Sequence, residues 1–173
     1  MEAFRLDDIP AAQLDAVRRY ITTDHAVVDG ALRDLDRARL QELDEFIRLV
    51  TAGLYNLPAF TGVVYRGATL SAAQARHYIP GQVVTEHAFV SATADPARRY
   101  PGNATFVIAS INGREVSLLS DVPDEREVVF FTGTRFKVLA HEYDAQADER
   151  YIYLAEVPDR RLLQDDAVGL PET

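Results

Sequence analysis

The stretch Ser120-Asp-Val-Pro-Asp-Glu-Arg-Glu-Val-Val-Phe-Phe131 joins a turn-rich segment to an apolar run through two carboxylates. Glu127 opens the apolar run, whose β-branched and aromatic residues predict a strand. Alternate residues of an extended chain project to one side, so Glu125 and Glu127 are expected to face the same way. Such a pair can divide a reaction, with one carboxylate stabilising a cation and the other handling a proton. A solvated strand edge is the ordinary alternative for this motif taken alone.

Two further motifs lie upstream, each at the end of a predicted strand. Arg66 closes the apolar run Val63–Arg66 and is followed by Gly67. A planar guanidinium can grip phosphate there while the glycine lets a ligand approach closely. Ser91 and Thr93 alternate with an alanine, so their hydroxyls share a face of a strand and can orient a carboxylate. A strand-terminal arginine and Ser/Thr pairing across a sheet are the ordinary alternatives.

The remaining pattern predicts an α+β fold. Apolar residues recur at helical spacing up to about residue 57, with Asp24 as the expected N-cap of the second helix. Beyond that point, runs of β-branched and aromatic residues predict strands, and Ser71 to Gln74 has the form of a capping box that opens a short helix. After the Val63–Arg66 strand we expect strands near 87–93, 105–111, 127–131, 135–141 and 151–156.

Helices first and strands afterwards indicate an α+β fold rather than alternating βαβ units, and a length of 173 residues suits one domain. We expect this single domain to cover residues 1–173. Its helical part spans about 8–57, its strand-rich catalytic core about 60–158, and its polar tail 159–173.

Composition narrows the class of protein. The chain has 173 residues, no cysteine, four scattered histidines and a net charge of −9. Disulfides and thiolate nucleophiles are therefore excluded, and no metal site is expected. The acidity disfavours a nucleic acid partner. No run approaches the ~20 apolar residues that span a bilayer, so no membrane partner is expected. Residues 1–8 lack the layout of a signal peptide, which leaves signal-independent export or a longer parent chain open.

The order and spacing of the three motifs are more specific than any of them alone. Tyr-Arg66-Gly, then Phe-x-Ser91-x-Thr, then Glu125-x-Glu127 resembles the Arg-Ser-Glu class of mono-ADP-ribosyltransferases, which includes bacterial toxins and animal surface enzymes. The resemblance extends from about residue 14 to about residue 157. It implies an N-terminal helical lobe followed by a two-sheet β core of the ADP-ribosyltransferase type, with NAD⁺ as substrate in the cleft.

Two flanking elements strengthen the resemblance, and two positions depart from it. Asp29–Arg33 is similar to an Asn-x-x-Leu-Arg element upstream in bacterial members, and Phe131–Val138 is similar to their Gly-x-x-Phe-x-Val strand. The middle motif is Ser91-Ala-Thr rather than the frequent Ser-Thr-Ser. Val122 stands where many toxins carry an aromatic residue that meets the target protein.

The resemblance implies a role for each motif residue. Arg66 would hold the pyrophosphate of NAD⁺, and the main chain of Gly67 the nicotinamide amide. Glu127 would bind the ribose 2′-hydroxyl and stabilise the oxocarbenium-like transition state, with Ser91 orienting it. Glu125 would bind the acceptor guanidinium.

Two more residues are expected to contact NAD⁺. Thr93 shares the hydroxyl face of Ser91, and Tyr100, in the loop after the middle motif, would pack on the nicotinamide ring. An exposed loop with ordinary polar contacts is the alternative for Tyr100.

The resemblance thus predicts an enzyme that transfers ADP-ribose from NAD⁺ to an amino-acid side chain of a target protein. Glu125 argues that this side chain is an arginine, because many relatives with Gln at that position modify other acceptors. The alternatives are an NAD⁺ glycohydrolase and a non-catalytic NAD⁺-binding module of the same fold. We expect a secreted or delivered bacterial toxin or effector that acts in the cytoplasm of a target cell. Its producer would then carry a cognate immunity protein.

Overall fold

The computed structural model describes residues 3–159. Three helices come first, α1 (Ala11–Arg19), α2 (His25–Asp34) and α3 (Arg37–Tyr55). Asp36 caps the start of helix α3, and its side chain accepts a hydrogen bond from the Arg39 main-chain N–H at 3.1 Å. One apolar face of each helix is buried in a common cluster, which defines the helical lobe.

Helix α2 starts directly after Asp24, as expected, but the side chain of Asp24 does not cap it. Residues Tyr20–Asp24 form a π-helical turn that leads directly from α1 into α2, and Asp24 has helical dihedral angles without a side-chain cap bond. Its carboxylate instead pairs with Arg19 at 2.8 Å. Two threonine hydroxyls in the turn bond back to main-chain carbonyls four residues earlier, which supports the widened turn.

The rest of the described chain is mainly β-structure, with one short helix. The strands form a seven-stranded network in the order β1-β3-β5-β4-β7-β6-β2, with an additional β1–β4 pairing. Helix α4 spans Ala72–Ala75, and the strands are β1 (Ala59–Ala68), β2 (Val83–Glu86), β3 (Val90–Thr93), β4 (Ala104–Glu115), β5 (Glu127–Phe130), β6 (Thr134–Asp144) and β7 (Glu149–Glu156).

Strand β4 organises the core. It pairs antiparallel with β1 from Ala59↔Arg114 to Ala68↔Ala104, and its opposite edge pairs first with β7 in parallel and then, near its end, with β5. Strands β3 and β5 pair with each other and join β1 to β4, so these four strands form a closed circuit of ladders. The expected helical lobe and multi-strand core are confirmed, and β4 links the core into one continuous network.

The strand predicted near 87–93 is shorter in the structure, where β3 covers only Val90–Thr93, and β2 (Val83–Glu86) precedes it as a strand that the sequence did not predict. Strand β2 pairs with β6 at one edge of the network, whereas β3 lies between β1 and β5, so the chain must cross from that edge to β3. Residues 87–89 make this crossing and form no strand, and Ala88 and Phe89 are buried within it. Helix α4, in contrast, begins with the expected capping box between Ser71 and Gln74.

Two apolar clusters meet at β5, the strand that follows the Glu-x-Glu motif. Val129 packs with the helical lobe, while Val128 and Phe130 pack between the strands. This alternation is what a strand buried on both faces requires, and it fixes the direction in which Glu127 projects. Within residues 3–159, no helix is both long and apolar enough to cross a membrane.

Candidate active site

The middle motif and the Glu-x-Glu motif meet across the β3–β5 ladder. Thr93 pairs with Glu127 and Ser91 with Val129, so Ser91 lies diagonally opposite Glu127. The Ser91 hydroxyl donates to Glu127 Oε2 at 2.6 Å. This is the contact expected from the sequence, and it fixes the carboxylate of Glu127 in one orientation.

Arg66, in the first motif, is hydrogen-bonded to the middle motif. Its Nη1 donates to the main-chain carbonyl of Ser91 at 2.8 Å. Strands β1 and β3 pair at Tyr65↔Thr93, so the side chain of the next residue reaches across to the neighbouring strand. Arg66 is half-buried and lines the wall of a cavity of about 510 Å³.

The two glutamates lie in different surroundings. Glu125 ends a 3-10 turn over Pro123–Glu125 and is exposed, whereas Glu127 begins β5 and is half-buried. Arg126 between them has φ 45° and ψ 51°, in the left-handed region. The expected extended conformation of Glu125 is therefore wrong. The turn and the left-handed residue, rather than strand alternation, bring its charge within reach of Glu127.

Thr93 holds this turn. Its hydroxyl donates to the main-chain carbonyl of Glu125 and accepts from the main-chain N–H of Asp95 at 3.0 Å. Thr93 is buried, so the hydroxyl is enclosed with these partners. The structure thus places Thr93 beside the Glu-x-Glu motif, where it shapes the position of Glu125.

The electrostatics of Glu127 follow from its burial. Loss of hydration raises the pKa of the Glu127 carboxyl, the Ser91 hydrogen bond lowers it, and the negative charge of Glu125 raises it further. His25, at the start of α2, opposes these increases. A half-buried carboxylate held by one strong donor is well placed to stabilise a cation in the cleft.

Gly67 is needed for a close approach of main chains. A Cβ at this position would lie 1.6 Å from the carbonyl oxygen of Tyr100, so a side chain would displace the loop 96–102. The side chain of Tyr100 is 82% exposed, and Tyr100 lines a separate cavity of about 350 Å³ together with Arg99. The loop thus lies against the first motif, while the tyrosine ring faces solvent.

The larger cavity contains polar side chains that the sequence did not single out. Tyr20 is buried and donates to Asp29 Oδ2 at 2.9 Å, and Tyr78 donates to Glu86 Oε1 at 3.0 Å. Asp29 and Glu86 both line the cavity with Arg66. Asp29 was noted only within a family element, and no local sequence pattern reveals either tyrosine–carboxylate pair. Among residues 3–159, no three His, Asp or Glu side chains are grouped so as to hold a metal ion.

Comparison with known proteins agrees with this geometry. No family model matches the chain. It is 34% identical over 154 residues to Mav of Mycobacterium avium (strain 104), which is named as an NAD(+)–arginine ADP-ribosyltransferase. The matched region covers 87% of this chain and 18% of that protein. It is 31% identical over 128 residues to the NAD(+)–protein-arginine ADP-ribosyltransferase Tre1 of Serratia proteamaculans (strain 568), covering 73% of this chain and 28% of that protein. The chain thus spans less than a third of the length of these relatives.

Solved structures show the same fold. The type III effector XopAI of Xanthomonas axonopodis pv. citri superposes with a TM-score of 0.77 and 25% identity over 88% of this chain and 70% of that one. The ADP-ribosyltransferase Vis superposes with a TM-score of 0.79 and 22% identity, over 92% of this chain and 79% of that one. With the Arg66–Ser91–Glu127 geometry, these similarities identify the chain as a member of the bacterial mono-ADP-ribosyltransferase family.

Proposed function

We propose that this chain cleaves NAD⁺ and transfers its ADP-ribose to an arginine side chain of a protein. The observation that carries the proposal is a pair of hydrogen bonds that meet at Ser91. The Ser91 hydroxyl donates to Glu127, and the Ser91 carbonyl accepts from Arg66. These bonds hold a guanidinium and a carboxylate at one site, which supports binding of a phosphate by the first and stabilisation of a cation by the second. NAD⁺ presents both features, a pyrophosphate and a ribose that becomes cationic.

The roles of the residues follow from the chemistry of the glycosidic bond. Arg66 binds the pyrophosphate, the main chain of Gly67 binds the nicotinamide amide, and the Glu127 carboxylate accepts a hydrogen bond from the ribose 2′-hydroxyl. The bond from nicotinamide to ribose C1 breaks with both electrons leaving on nicotinamide, and Glu127 stabilises the oxocarbenium-like transition state. This chemistry uses carboxylates and requires no metal ion.

Glu125 acts on the acceptor. Its exposed carboxylate binds the incoming guanidinium, and a guanidinium nitrogen forms the new bond to C1. The proton lost by that nitrogen passes to Glu125 and then to solvent. Because Glu125 is exposed, water also reaches this side of the cleft, so NAD⁺ hydrolysis is expected as a competing reaction.

Tyr100 has a limited part in the proposal. Its carbonyl lies against Gly67, so the loop supports the nicotinamide end of the cleft. Its exposed ring would have to turn toward the cleft to pack on nicotinamide.

Incubation with NAD⁺ and agmatine, a small guanidinium acceptor, tests the transfer. We expect an ADP-ribosyl-agmatine product from the wild-type protein, detected by mass spectrometry. Nicotinamide release without that product would favour the NAD⁺ glycohydrolase, and binding of NAD⁺ without either product would favour a non-catalytic module.

In the cell, we propose that the domain is delivered as a bacterial toxin or effector and modifies a cytosolic protein, and that its producer holds a cognate immunity protein. The structural similarity to a type III effector supports this setting. Inducible expression in bacterial and yeast cytoplasm, with Glu127→Gln at matched levels as control, tests it. Growth arrest by the wild type alone supports the proposal, and equal growth of both variants in both hosts contradicts it.

A further inference from the structure

The candidate site includes a cavity that Arg66 lines and Glu127 does not. Along β5, Val128 packs with Val64 of β1 between the strands, whereas Val129 packs with the helical lobe, so Glu127 projects toward the lobe. The cavity of about 510 Å³ is lined by Arg66, by Asp29 and Arg33 of α2, and by residues of α4, β2 and the segment between them, whereas Glu127 is not one of its lining residues. Arg66 lines this cavity and donates to the carbonyl of Ser91, whose hydroxyl holds Glu127, so the cavity and the Glu127 carboxylate adjoin at Arg66.

NAD⁺ consists of two nucleosides joined by a pyrophosphate. With one ribose at Glu127 and the pyrophosphate at Arg66, the second nucleoside must extend into the cavity that Arg66 lines. The side chain of Glu86, at the end of β2, lines this cavity. A carboxylate is the group that proteins use to bind the 2′-hydroxyl of an adenosine ribose, while a 2′-phosphate at the same position is matched by an arginine.

Glu86 is held for such a contact. Its Oε1 accepts a hydrogen bond from the Tyr78 hydroxyl at 3.0 Å, and no described residue bonds to its second oxygen. Tyr78 is itself fixed, because its ring packs edge-on against Phe106 with centroids 5.0 Å apart and its carbonyl lies 2.9 Å from His141 Nδ1. Burial and the charge of Glu86 raise the pKa of Tyr78, so the phenol stays protonated and remains a donor.

We propose that Glu86, positioned by Tyr78, accepts hydrogen bonds from the hydroxyls of the second ribose and thereby selects NAD⁺ over NADP⁺. A phosphate on that ribose would place its negative charge against the carboxylate. This inference rests on the proposed use of NAD⁺, and it adds a specificity-determining residue outside the three motifs.

The test compares NAD⁺ with NADP⁺ for the wild type, Glu86→Gln and Tyr78→Phe. KM and kcat are measured with each dinucleotide as substrate, and Kd is measured by calorimetry. The wild type should prefer NAD⁺. Glu86→Gln should raise the KM for NAD⁺ about tenfold, with a much smaller change in kcat, because a charge-assisted hydrogen bond is lost. It should also lower the NADP⁺ to NAD⁺ ratio of Kd values by tenfold or more. Tyr78→Phe should shift both quantities in the same direction by a smaller factor.

Glu45 is an exposed carboxylate on α3, so Glu45→Gln is the matched control. It should change neither the KM for NAD⁺ nor the ratio of the two Kd values. Equal affinity of the wild type for both dinucleotides, or an unchanged ratio in a folded Glu86→Gln protein, would overturn the proposal. Deamino-NAD⁺ separates ribose from base: if Glu86→Gln abolishes a wild-type preference for NAD⁺ over deamino-NAD⁺, the carboxylate binds the adenine amino group instead. Binding without turnover would refute the proposed function, yet the Kd ratio would still decide the role of Glu86.

Discussion

Glu125 and Glu127 are separated by one residue, yet they lie in two different regions of the molecule. Glu127 begins a strand, is half-buried and is held by Ser91 at 2.6 Å. Glu125 lies on an exposed 3-10 turn, and Thr93 holds its main chain rather than its carboxylate. A fixed, desolvated carboxylate suits a transition state inside the cleft, whereas an exposed one on a turn suits an acceptor that arrives from outside.

The largest effect is expected from the buried carboxylate. Glu127→Gln keeps the shape of the side chain but removes the charge that, in the proposed mechanism, faces the oxocarbenium. We expect kcat for NAD⁺ hydrolysis and for transfer to agmatine each to fall by about a hundredfold or more. Nicotinamide release and agmatine modification should be measured in the same reactions, with the melting temperature as a control for folding. Near wild-type turnover in a folded variant would remove Glu127 from the chemistry.

The exposed carboxylate should separate the two reactions. Glu125→Gln should reduce transfer to agmatine by about a hundredfold, because the acceptor loses its partner, while NAD⁺ hydrolysis changes only a few-fold. Glu42→Gln, an exposed carboxylate on α3, is the matched control. A parallel fall of both activities would show that the two glutamates act as one unit.

A smaller effect is expected in the pH dependence. Burial and Glu125 raise the pKa of Glu127, and the Ser91 hydrogen bond lowers it. In the proposed mechanism the charged form of Glu127 is the active one, so NAD⁺ hydrolysis should rise with pH through this raised pKa. Ser91→Ala should move the acid limb to higher pH and slow hydrolysis about tenfold, since a bond to a charged group is lost. Glu125→Gln should move the same limb to lower pH.

Profiles of kcat against pH for the wild type and both variants test this pair of opposite shifts. Shifts in the same direction would contradict the electrostatic account of Glu127. An acid limb that stays in place in all three proteins would mean that another group controls it.

Local pattern was sufficient to predict the strand elements that carry the chemistry. Strand alternation predicted that Ser91 and Thr93 share a face, and the residues of 128–131 predicted the strand that Glu127 opens. It failed where backbone geometry departs from a regular repeat. The left-handed Arg126 and the π-helical turn Tyr20–Asp24 leave no periodic signal in the sequence.

Contacts between distant elements were also beyond the sequence. Tyr78 and Glu86 are eight residues apart, and the Pro80-Gly81 turn signal gives no indication that their side chains meet. Strand β2 has only four residues and is defined by its pairing with β6, about fifty positions later in the chain. Such contacts depend on tertiary packing, which overrides local propensity.

The smallest effect should come from loosening the turn that carries Glu125. Thr93→Val keeps the volume of the side chain but removes the hydroxyl that joins the Glu125 carbonyl to the Asp95 N–H. The free energy of unfolding should fall by about 1 kcal/mol, as expected for the loss of such a bond. Transfer to agmatine should fall a few-fold because Glu125 is less well placed, whereas NAD⁺ hydrolysis should stay near the wild-type rate because Glu127 keeps its bond to Ser91. Urea denaturation and the two assays measure these effects. If hydrolysis falls as much as transfer, Thr93 supports the whole cleft, and the separation between the exposed and the buried carboxylate is less complete than the structure indicates.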